Sequence, residues 1–436
     1  MLQELKQHIS QNLKYLTGKK LLVACSGGLD SVVLTHAFKK LDFDIALAHC
    51  NFSLRGKESD EDENFVVHLA DKLSIAVFAE TFTTKTYAQE HKLSTQMAAR
   101  ELRYRWFEEI RCDFKFDFVL TAHHVDDDLE TFLINLSRGT GLRGFTGIPE
   151  KNDTIIRPLL PFSREAILNY AKKNGLHWRE DSSNATTDYL RNKLRLEVIP
   201  KYKEANESLL QSFQKTQRHL RSSAALIDDY MALVYNLVIT EVVEGYRINL
   251  LKLTELPNTE ALLYELLQSF GFTAWEDISD LVSAQSGKQI LSSTHRLIKD
   301  RNAFLLTEIP SETKKNEIFI SENETEITHP VHLKFNSTNK MGNSTVSEVY
   351  VDKDKITYPL QLRKWREGDV FQPFGMKGKK KLSKFFKDEK LSLVAKENCW
   401  VLCSDAKIIW IVGLRLDDRF KINPETKQIL KITRIP

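Results

Sequence analysis

The chain has 436 residues, 42% of them hydrophobic and 28% charged, with a formal net charge of +3. That is ample apolar content for two or three cores and too much length for one. No run approaches the roughly 20 apolar residues of a membrane span, and the opening MLQELKQHIS reads as an amphipathic helix rather than a leader, so the expectation is a soluble cytoplasmic protein without a membrane partner.

The charge is unevenly spread. From Lys353 to Arg434 there are 20 Lys plus Arg against 10 Asp plus Glu, while the rest of the chain is mildly acidic. A cationic end on a near-neutral protein points to a polyanion, with nucleic acid the first candidate. The five cysteines form no C-x-x-C pair, which favours a reducing compartment and argues against an iron–sulfur or zinc site.

Taken in order, residues 1 to about 160 alternate two patterns. Strands are predicted at 21–25, 45–49, 75–81 and 116–121, and helices at 32–40, 59–73, 95–111 and 126–136. Such alternation predicts an α/β domain with a doubly wound, mostly parallel sheet and ligands at the carboxyl ends of its strands. From Glu204 the pattern turns helical, with Leu209, Leu210, Phe213 and Leu220 on one face, and 205–310 is expected to be mostly helical. The polar stretch 309–345 reads as linker and edge strands. Short β-patterned runs such as 408–412 and 429–432 then predict a small α+β terminal domain. The expected division is 1–205, a helical middle domain 206–310, a linker 311–348 and a basic terminal domain 349–436.

The first predicted strand empties into Ser26-Gly27-Gly28-Leu29-Asp30-Ser31, and a helix follows at once. Adjacent glycines let the backbone curl and approach a ligand closely. The first N–H groups of the next helix point at that ligand with the helix dipole behind them, so a phosphate fits. Asp30 and Ser31 acting as plain helix caps is the competing explanation. There is no Walker A pattern and no G-x-G-x-x-G.

The second cluster, His123-His124-Val125-Asp126-Asp127-Asp128-Leu129-Glu130-Thr131, follows the fourth predicted strand. Asp126, Asp127 and Glu130 share a helix face, an arrangement that costs stability unless a cation such as Mg²⁺ or an amine lies between them. An acidic first turn complementing the helix dipole is the simpler alternative. Arg138-Gly139-Thr140-Gly141-Leu142-Arg143-Gly144 suits either a loop that closes on an anion or an ordinary surface loop. Further on, Arg179-Glu180-Asp181-Ser182-Ser183-Asn184 precedes Tyr189-Leu190-Arg191-Asn192-Lys193-Leu194-Arg195, where Arg191 and Arg195 stand one helical turn apart. They either present two forks to a phosphate or carboxylate, or pair with Glu197 or Glu180. In the terminal domain Lys377, Lys379, Lys380, Lys381 and Lys384 suit RNA phosphates, whereas Leu382, Phe385 and Phe386 read as the buried side of a helix.

The S-G-G-x-D-S turn resembles the pyrophosphate loop of the N-type ATP pyrophosphatases. Together with H-H-V-D-D-D-L-E-T at His123, R-G-T-G-L-R-G at Arg138, R-P-L-L at Arg157, the run ending at Arg195 and the G-D-V-F-Q-P-F-G-M-K-G-K-K-K-L-S-K-F-F run from Gly368, the chain resembles the tRNA(Ile)-lysidine synthetase family. Val125, Asp128 and Val370 depart from that pattern without touching the positions expected to be catalytic. The resemblance implies a two-step ligase. ATP adenylates the C2 oxygen of the wobble cytidine in the CAU anticodon of tRNA(Ile), and the ε-amine of free L-lysine displaces AMP. It implies Asp30, Asp126, Asp127 and Glu130 as catalytic residues, and Ser26, Gly27, Gly28, Leu29, Asp30, Ser31 and His49 around the nucleotide. Mg²⁺ would be held by Asp30, Asp126 and Asp127. Arg138, Arg143, Arg191, Arg195 and the lysines from Lys377 to Lys384 would meet tRNA or substrate. A tRNA base thiolase sharing the adenylation step and a non-catalytic RNA-binding protein are the competing functions. A homodimer through the N-terminal domain is compatible with the sequence, which fixes no oligomeric state.

Overall fold

Side chains of residues 20–24 alternate poorly because both faces of their strand are covered; Leu21, Leu22 and Val23 are all fully buried, as in the interior of a parallel sheet. A computed structural model describes residues 1–180, 190–309, 317–340 and 342–435. The Asp181-Ser182-Ser183-Asn184 stretch and Tyr189 lie outside the described residues. The chain forms two units, Met1–Asp228 and Asp229–Pro436.

The first unit is built on a six-stranded sheet. Its strands are β1 (Lys20–Ala24), β2 (Asp44–Asn51), β3 (Val77–Thr81), β4 (Phe118–Leu120), β5 (Lys151–Asn152) and β6 (Ile155–Ile156), in the order β3-β2-β1-β4-β6-β5. Every pairing but β5–β6 is parallel. The order reverses beside β1, the place where open α/β sheets bind ligands. Helices α1 (Leu2–Asn12), α2 (Leu29–Lys40), α3 (Lys57–Leu73), α4 (Thr84–Glu90), α5 (Thr95–Asp113) and α6 (Val125–Arg138) surround it. One face packs Val33, Leu34, Ala37 and Phe38 of α2 with Val66 and Ala70 of α3. The other packs Phe107 and Ile110 of α5 on Leu22, Ala46, Ala48 and Val119. Beyond the sheet come α7 (Leu142–Phe145), α8 (Arg164–Lys173), α9 (Leu190–Lys193), a π-helical turn at Leu194–Val198, α10 (Ile199–Ala205) and the long α11 (Leu209–Val238). Leu209 and Phe213 pack on Val125 and Leu129 of α6.

In the second unit the helical expectation holds for the end of α11 and for Leu250–Thr254, Thr259–Leu267 and Trp275–Leu281. A five-stranded antiparallel sheet accompanies them, including His295–Asp300 paired with Ala303–Glu308. Both of those strands are buried on both faces, so no polar–apolar alternation betrays them. The terminal region holds a five-stranded and a four-stranded antiparallel sheet with short helices, in keeping with the α+β expectation. The polar stretch read as linker contributes strands Glu317–Ile320, Glu326–Ile327 and Leu333–Thr338, and its Leu333 and Phe335 enter the core around Trp410.

Candidate functional site

A cavity of about 900 Å³ opens at the carboxyl ends of β1, β2 and β4. The 26–31 loop forms its floor. Gly27 has φ +85°, and a Cβ there would come within 3.3 Å of Phe65 Cδ1 and 3.4 Å of Val66 Cγ2, so conformation and space both demand glycine. Gly28 caps α2, and the first N–H to find a helical acceptor is that of Val32, on Gly28 O at 3.0 Å. The N–H groups of Leu29, Asp30 and Ser31 before it have no helical acceptor, the arrangement that suits an anion.

The two hydroxyls expected to bind phosphate hydrogen-bond within the loop. Ser31 Oγ donates to Gly28 O at 3.0 Å and accepts the Ser26 N–H at 3.2 Å, while Ser26 Oγ accepts the Gly28 N–H at 3.3 Å. Leu29 is buried, so only its backbone faces a ligand. His49 lines the cavity with Nδ1 2.9 Å from Cys25 O, and burial lowers its pKa, leaving a neutral ring whose Nδ1–H donates to that carbonyl. Asp30 is no cap; its Oδ1 is buried without a partner, and its Oδ2 lies 3.6 Å from His124 Nε2.

The acidic turn opens α6. Its cap, His124, is 2% exposed and faces three carboxylates, with Asp127 Oδ2 at 3.4 Å, Asp30 Oδ2 at 3.6 Å and Asp126 Oδ2 at 3.7 Å. Burial pulls its pKa down, but Asp30, Asp127 and Asp126 together push it above the ordinary histidine value. Its Nδ1 also accepts the Asp127 N–H at 3.4 Å, a long capping contact, while Nε2 faces Asp127 and Asp30. His123 behaves oppositely. Burial is the main cause lowering it to about 4, so it lines the cavity as a neutral ring.

The structure separates the four expected acids into two pairs. Asp30 and Asp127 line the cavity; Asp126 and Glu130 do not. Asp126 accepts the Arg164 N–H at 2.8 Å and pairs with Lys203 of α10. Glu130, 1% exposed, accepts Arg195 Nε at 2.6 Å, Arg195 Nη2 at 3.0 Å and Arg191 Nε at 2.7 Å. Arg195 Nη2 also reaches Asp127 Oδ1 at 3.0 Å. The arginine pair therefore binds Glu130 and Asp127 rather than Glu197 or Glu180, and both guanidiniums line the cavity. Burial would raise the Asp127 pKa, but His124, His123 and Arg191 hold it below the usual carboxylate range.

These occupancies bear on the expected metal. Among the described residues no group of three or more His, Cys, Asp or Glu is placed to hold an ion, and Asp126 has both oxygens taken. Asp127 is likewise occupied, its Oδ1 by Arg195 Nη2 at 3.0 Å and its Oδ2 by the His124 N–H at 3.1 Å, so Asp30 with its orphaned oxygen is the one of the three that fits Mg²⁺, which ordinarily takes one or two protein carboxylates together with substrate phosphates.

Other expected residues stand apart. Arg138 and Arg143 are exposed outside the cavity, and Arg143 Nη2 pairs with Asp228 at 2.6 Å. Asp128 clasps the same loop: it accepts the Ile148 N–H at 2.6 Å and Arg221 Nη2 at 3.2 Å, and a Cβ on Gly147 would fall 2.1 Å from its Oδ1. In the second unit Lys377, Lys379, Lys381 and Lys384 are exposed, Lys380 pairs with Asp388 at 2.7 Å, and Leu382, Phe385 and Phe386 are buried as expected. Missed altogether were Arg55, Arg103 and Arg164, which also line the cavity.

A parallel sheet with a glycine anion loop after its first strand, facing an acid–histidine turn after a neighbouring strand, defines a PP-loop ATP-utilising domain, and the PP-loop domain family matches residues 1–202. The TilS substrate binding domain matches 241–309 and the TilS substrate C-terminal domain 360–433. The tRNA(Ile)-lysidine synthase of Parabacteroides distasonis is 40% identical over 99% of this chain and 99% of its own. That of Bacteroides thetaiotaomicron is 39% identical over 98% of each, and that of Clostridium acetobutylicum 30% identical over 99% of each. The chain belongs to the tRNA(Ile)-lysidine synthase family.

Proposed function

We infer that this chain ligates free L-lysine to C2 of the wobble cytidine in the CAU anticodon of tRNA(Ile), consuming ATP and releasing AMP and diphosphate. The observation that carries the chemistry is one cavity faced by both the 26–31 loop and Asp127. In the first step the cytidine O2 attacks the α-phosphorus and diphosphate leaves. In the second the lysine ε-nitrogen attacks C2, the C2–O bond breaks, AMP leaves, and the amine gives up a proton. The anticodon then reads AUA in place of AUG.

The loop N–H groups hold the departing diphosphate, and Arg191 and Arg195 offset its charge. Asp30 would hold Mg²⁺, which supplies charge neutralisation on the phosphates. Asp126 and Glu130 act as positioning residues that fix Lys203, Arg191 and Arg195. Free lysine has a side-chain pKa of about 10.4, and an amine entering beside Arg191 and Arg195 sheds its proton more readily because neighbouring cations disfavour the ammonium. The exposed lysines 377, 379, 381 and 384 contact tRNA phosphate.

Thiolation is disfavoured by the thiols themselves. Cys25 is buried beneath the loop, Cys50 is pushed up to about 12, and no two cysteines are paired. Among the described residues no helix is long and apolar enough to cross a membrane, and we place the enzyme in the cytoplasm with its tRNA.

The test is transfer of radiolabelled lysine to an unmodified tRNA(Ile) transcript with a CAU anticodon. ATP-dependent incorporation, lost in Asp30→Ala and absent with methionine tRNA, is expected. AMP formed on tRNA without lysine transfer would exclude lysine as the nucleophile.

A further inference from the structure

The 138–148 loop that leaves α6 is open at its tip and tied at its heel. A Cβ on Gly139 or Gly141 would meet nothing within 4 Å, and Arg138 and Arg143 are exposed. From Gly144 onward the loop is held. Asn135 Nδ2 donates to Gly144 O at 2.8 Å, and the Phe145 ring lies 5.1 Å from Phe132, which meets Phe213 of α11 edge-on at 5.5 Å.

One ion pair closes the heel. Asp128 follows Asp127 in the acidic turn yet does not line the cavity, and its side chain is 5% exposed. Arg221 of α11 reaches it and spends further donors on the loop backbone, Nε on Thr146 O at 2.9 Å and Nη2 on Ile148 O at 3.1 Å. With the Ile148 N–H on Asp128 Oδ1, the pair joins α6, the loop and α11 at one point. Gly147, at φ +73°, sits against the carboxylate, where a Cβ would collide with Oδ1. A planar fork that spans a carboxylate and two carbonyls is a task for arginine, not lysine. Burial pushes the Asp128 carboxyl up, so this acid is held charged by its partners, and removing one strands the other. Asp128 also departs from the pattern the chain otherwise shares with its family, so the clasp is a device of this sequence.

ATP and lysine fit within a cavity of about 900 Å³, whereas tRNA extends beyond it, so of the three reactants only tRNA can meet side chains outside the cavity. We propose that Asp128 and Arg221 are positioning residues: their clasp fixes the heel of the 138–148 loop so that Arg138 and Arg143 at its tip engage tRNA phosphate. The proposal rests on the ligase reading above. Arg143 exchanges its exposed pairing with Asp228, an interaction of small worth in water, for the phosphate.

The test is steady-state kinetics of Asp128→Asn and Arg221→Lys, with ATP, lysine and tRNA varied in turn, each variant made alone and in an Arg138→Ala/Arg143→Ala background. Asp128→Asn should raise KM for tRNA about 10-fold, the loss of a hydrogen bond to a charged group. KM for ATP and for lysine should stay within about twofold of wild type. Arg221→Lys, which keeps the charge and loses the fork, should show the same split at smaller size. In the background without the tip cations, the clasp substitutions should add no more than about twofold, because they act through those cations.

An unchanged KM for tRNA, an equal rise for ATP or lysine, or a full effect in the background without the tip cations each overturns the proposal. An equal rise would mean that the pair merely supports α6 and the cavity. Should Asp128→Asn not fold, the Arg221→Lys comparison decides alone. Absence of lysine transfer by the wild-type enzyme would instead defeat the ligase reading, and filter binding of tRNA by the same variants would then decide the clasp separately.

Discussion

The 26–31 loop after β1 and the 123–130 turn after β4 stand on one rim of one sheet, and they reach order by opposite means. The loop is shaped by backbone conformation and by neutral hydroxyl bonds among Ser26, Gly28 and Ser31. The turn is held by formal charges: three carboxylates around His124, and Glu130 under two guanidiniums. A phosphate site made from N–H dipoles needs no counter-ion of its own. A cluster of buried acids does, and this chain supplies it from a segment far along the sequence. The comparison predicts that the turn fails when a charge is removed and the loop fails when a methyl is added.

The largest effect is therefore expected at Glu130. Its removal strands two partly buried guanidiniums, and Glu130→Ala should cost about 2–3 kcal/mol, since hydrogen bonds to charged groups are the expensive ones to break. Urea denaturation would measure this. Glu130→Gln, which keeps an acceptor and loses the charge, should fall between. If both variants match wild type in stability, charge pairing does not organise the turn.

Next comes Gly27→Ala. The φ of +85° and the 3.3 Å approach to Phe65 should together cost about 1–2 kcal/mol, and the displaced N–H groups should raise KM for ATP. Gly28→Ala is the control: its φ of −76° suits any residue, and its Cβ would sit 3.4 Å from Ser26 Oγ, an ordinary contact. Equal losses at the two glycines would sink the conformational account.

How far this was readable in the sequence follows from the same contrast. The strands and the loop were, because β1 runs straight into a glycine pair and each following helix repeats at the helical spacing. The membership of the acid cluster was readable too, but not its division of labour. Glu130 meets Arg191 and Arg195 from 61 and 65 residues away in the chain, and the carboxylates nearest those arginines in sequence, Glu197 and Glu180, were the wrong partners. Arg103 was invisible for a similar reason: beside Arg100 and Arg105 it reads as part of a solvated helix face, and its aromatic platform, Phe52, comes from another element. The sheet in the middle region was hidden because Ala303–Glu308 is a short apolar run, which spacing cannot distinguish from a helix turn.

The adjacent histidines sharpen the comparison at smaller cost. His123, lowered to about 4 by burial, contributes stability present above the unfolded value of 6.5 and lost as pH falls toward 4. His124, raised by its carboxylates, contributes stability present below 6.5 and lost as pH rises through its folded pKa. In the nucleotide-free protein, ring nitrogen shifts in NMR should show one titrating well below and the other above 6.5. Both titrating together near 6.5 would mean that the three carboxylates do not act on His124 alone.

The smallest effects belong to the terminal lysines, where charge is neither buried nor conformationally set. Lys379→Ala, Lys381→Ala and Lys384→Ala each remove one exposed cation, so each should lower the slope of log affinity for tRNA against log salt by about 0.7–0.9, the share of one phosphate contact. Lys380 lies in the same run but pairs with Asp388 at 2.7 Å and sits 5.6 Å over the Phe385 ring. Lys380→Ala should leave the salt slope nearly unchanged and cost at most about 1 kcal/mol of stability, as exposed pairs do. Filter binding across a salt series separates the two classes. A full unit of slope lost at Lys380 would show that its ion pair opens to RNA, and that local pairing does not decide which lysines of this run meet phosphate.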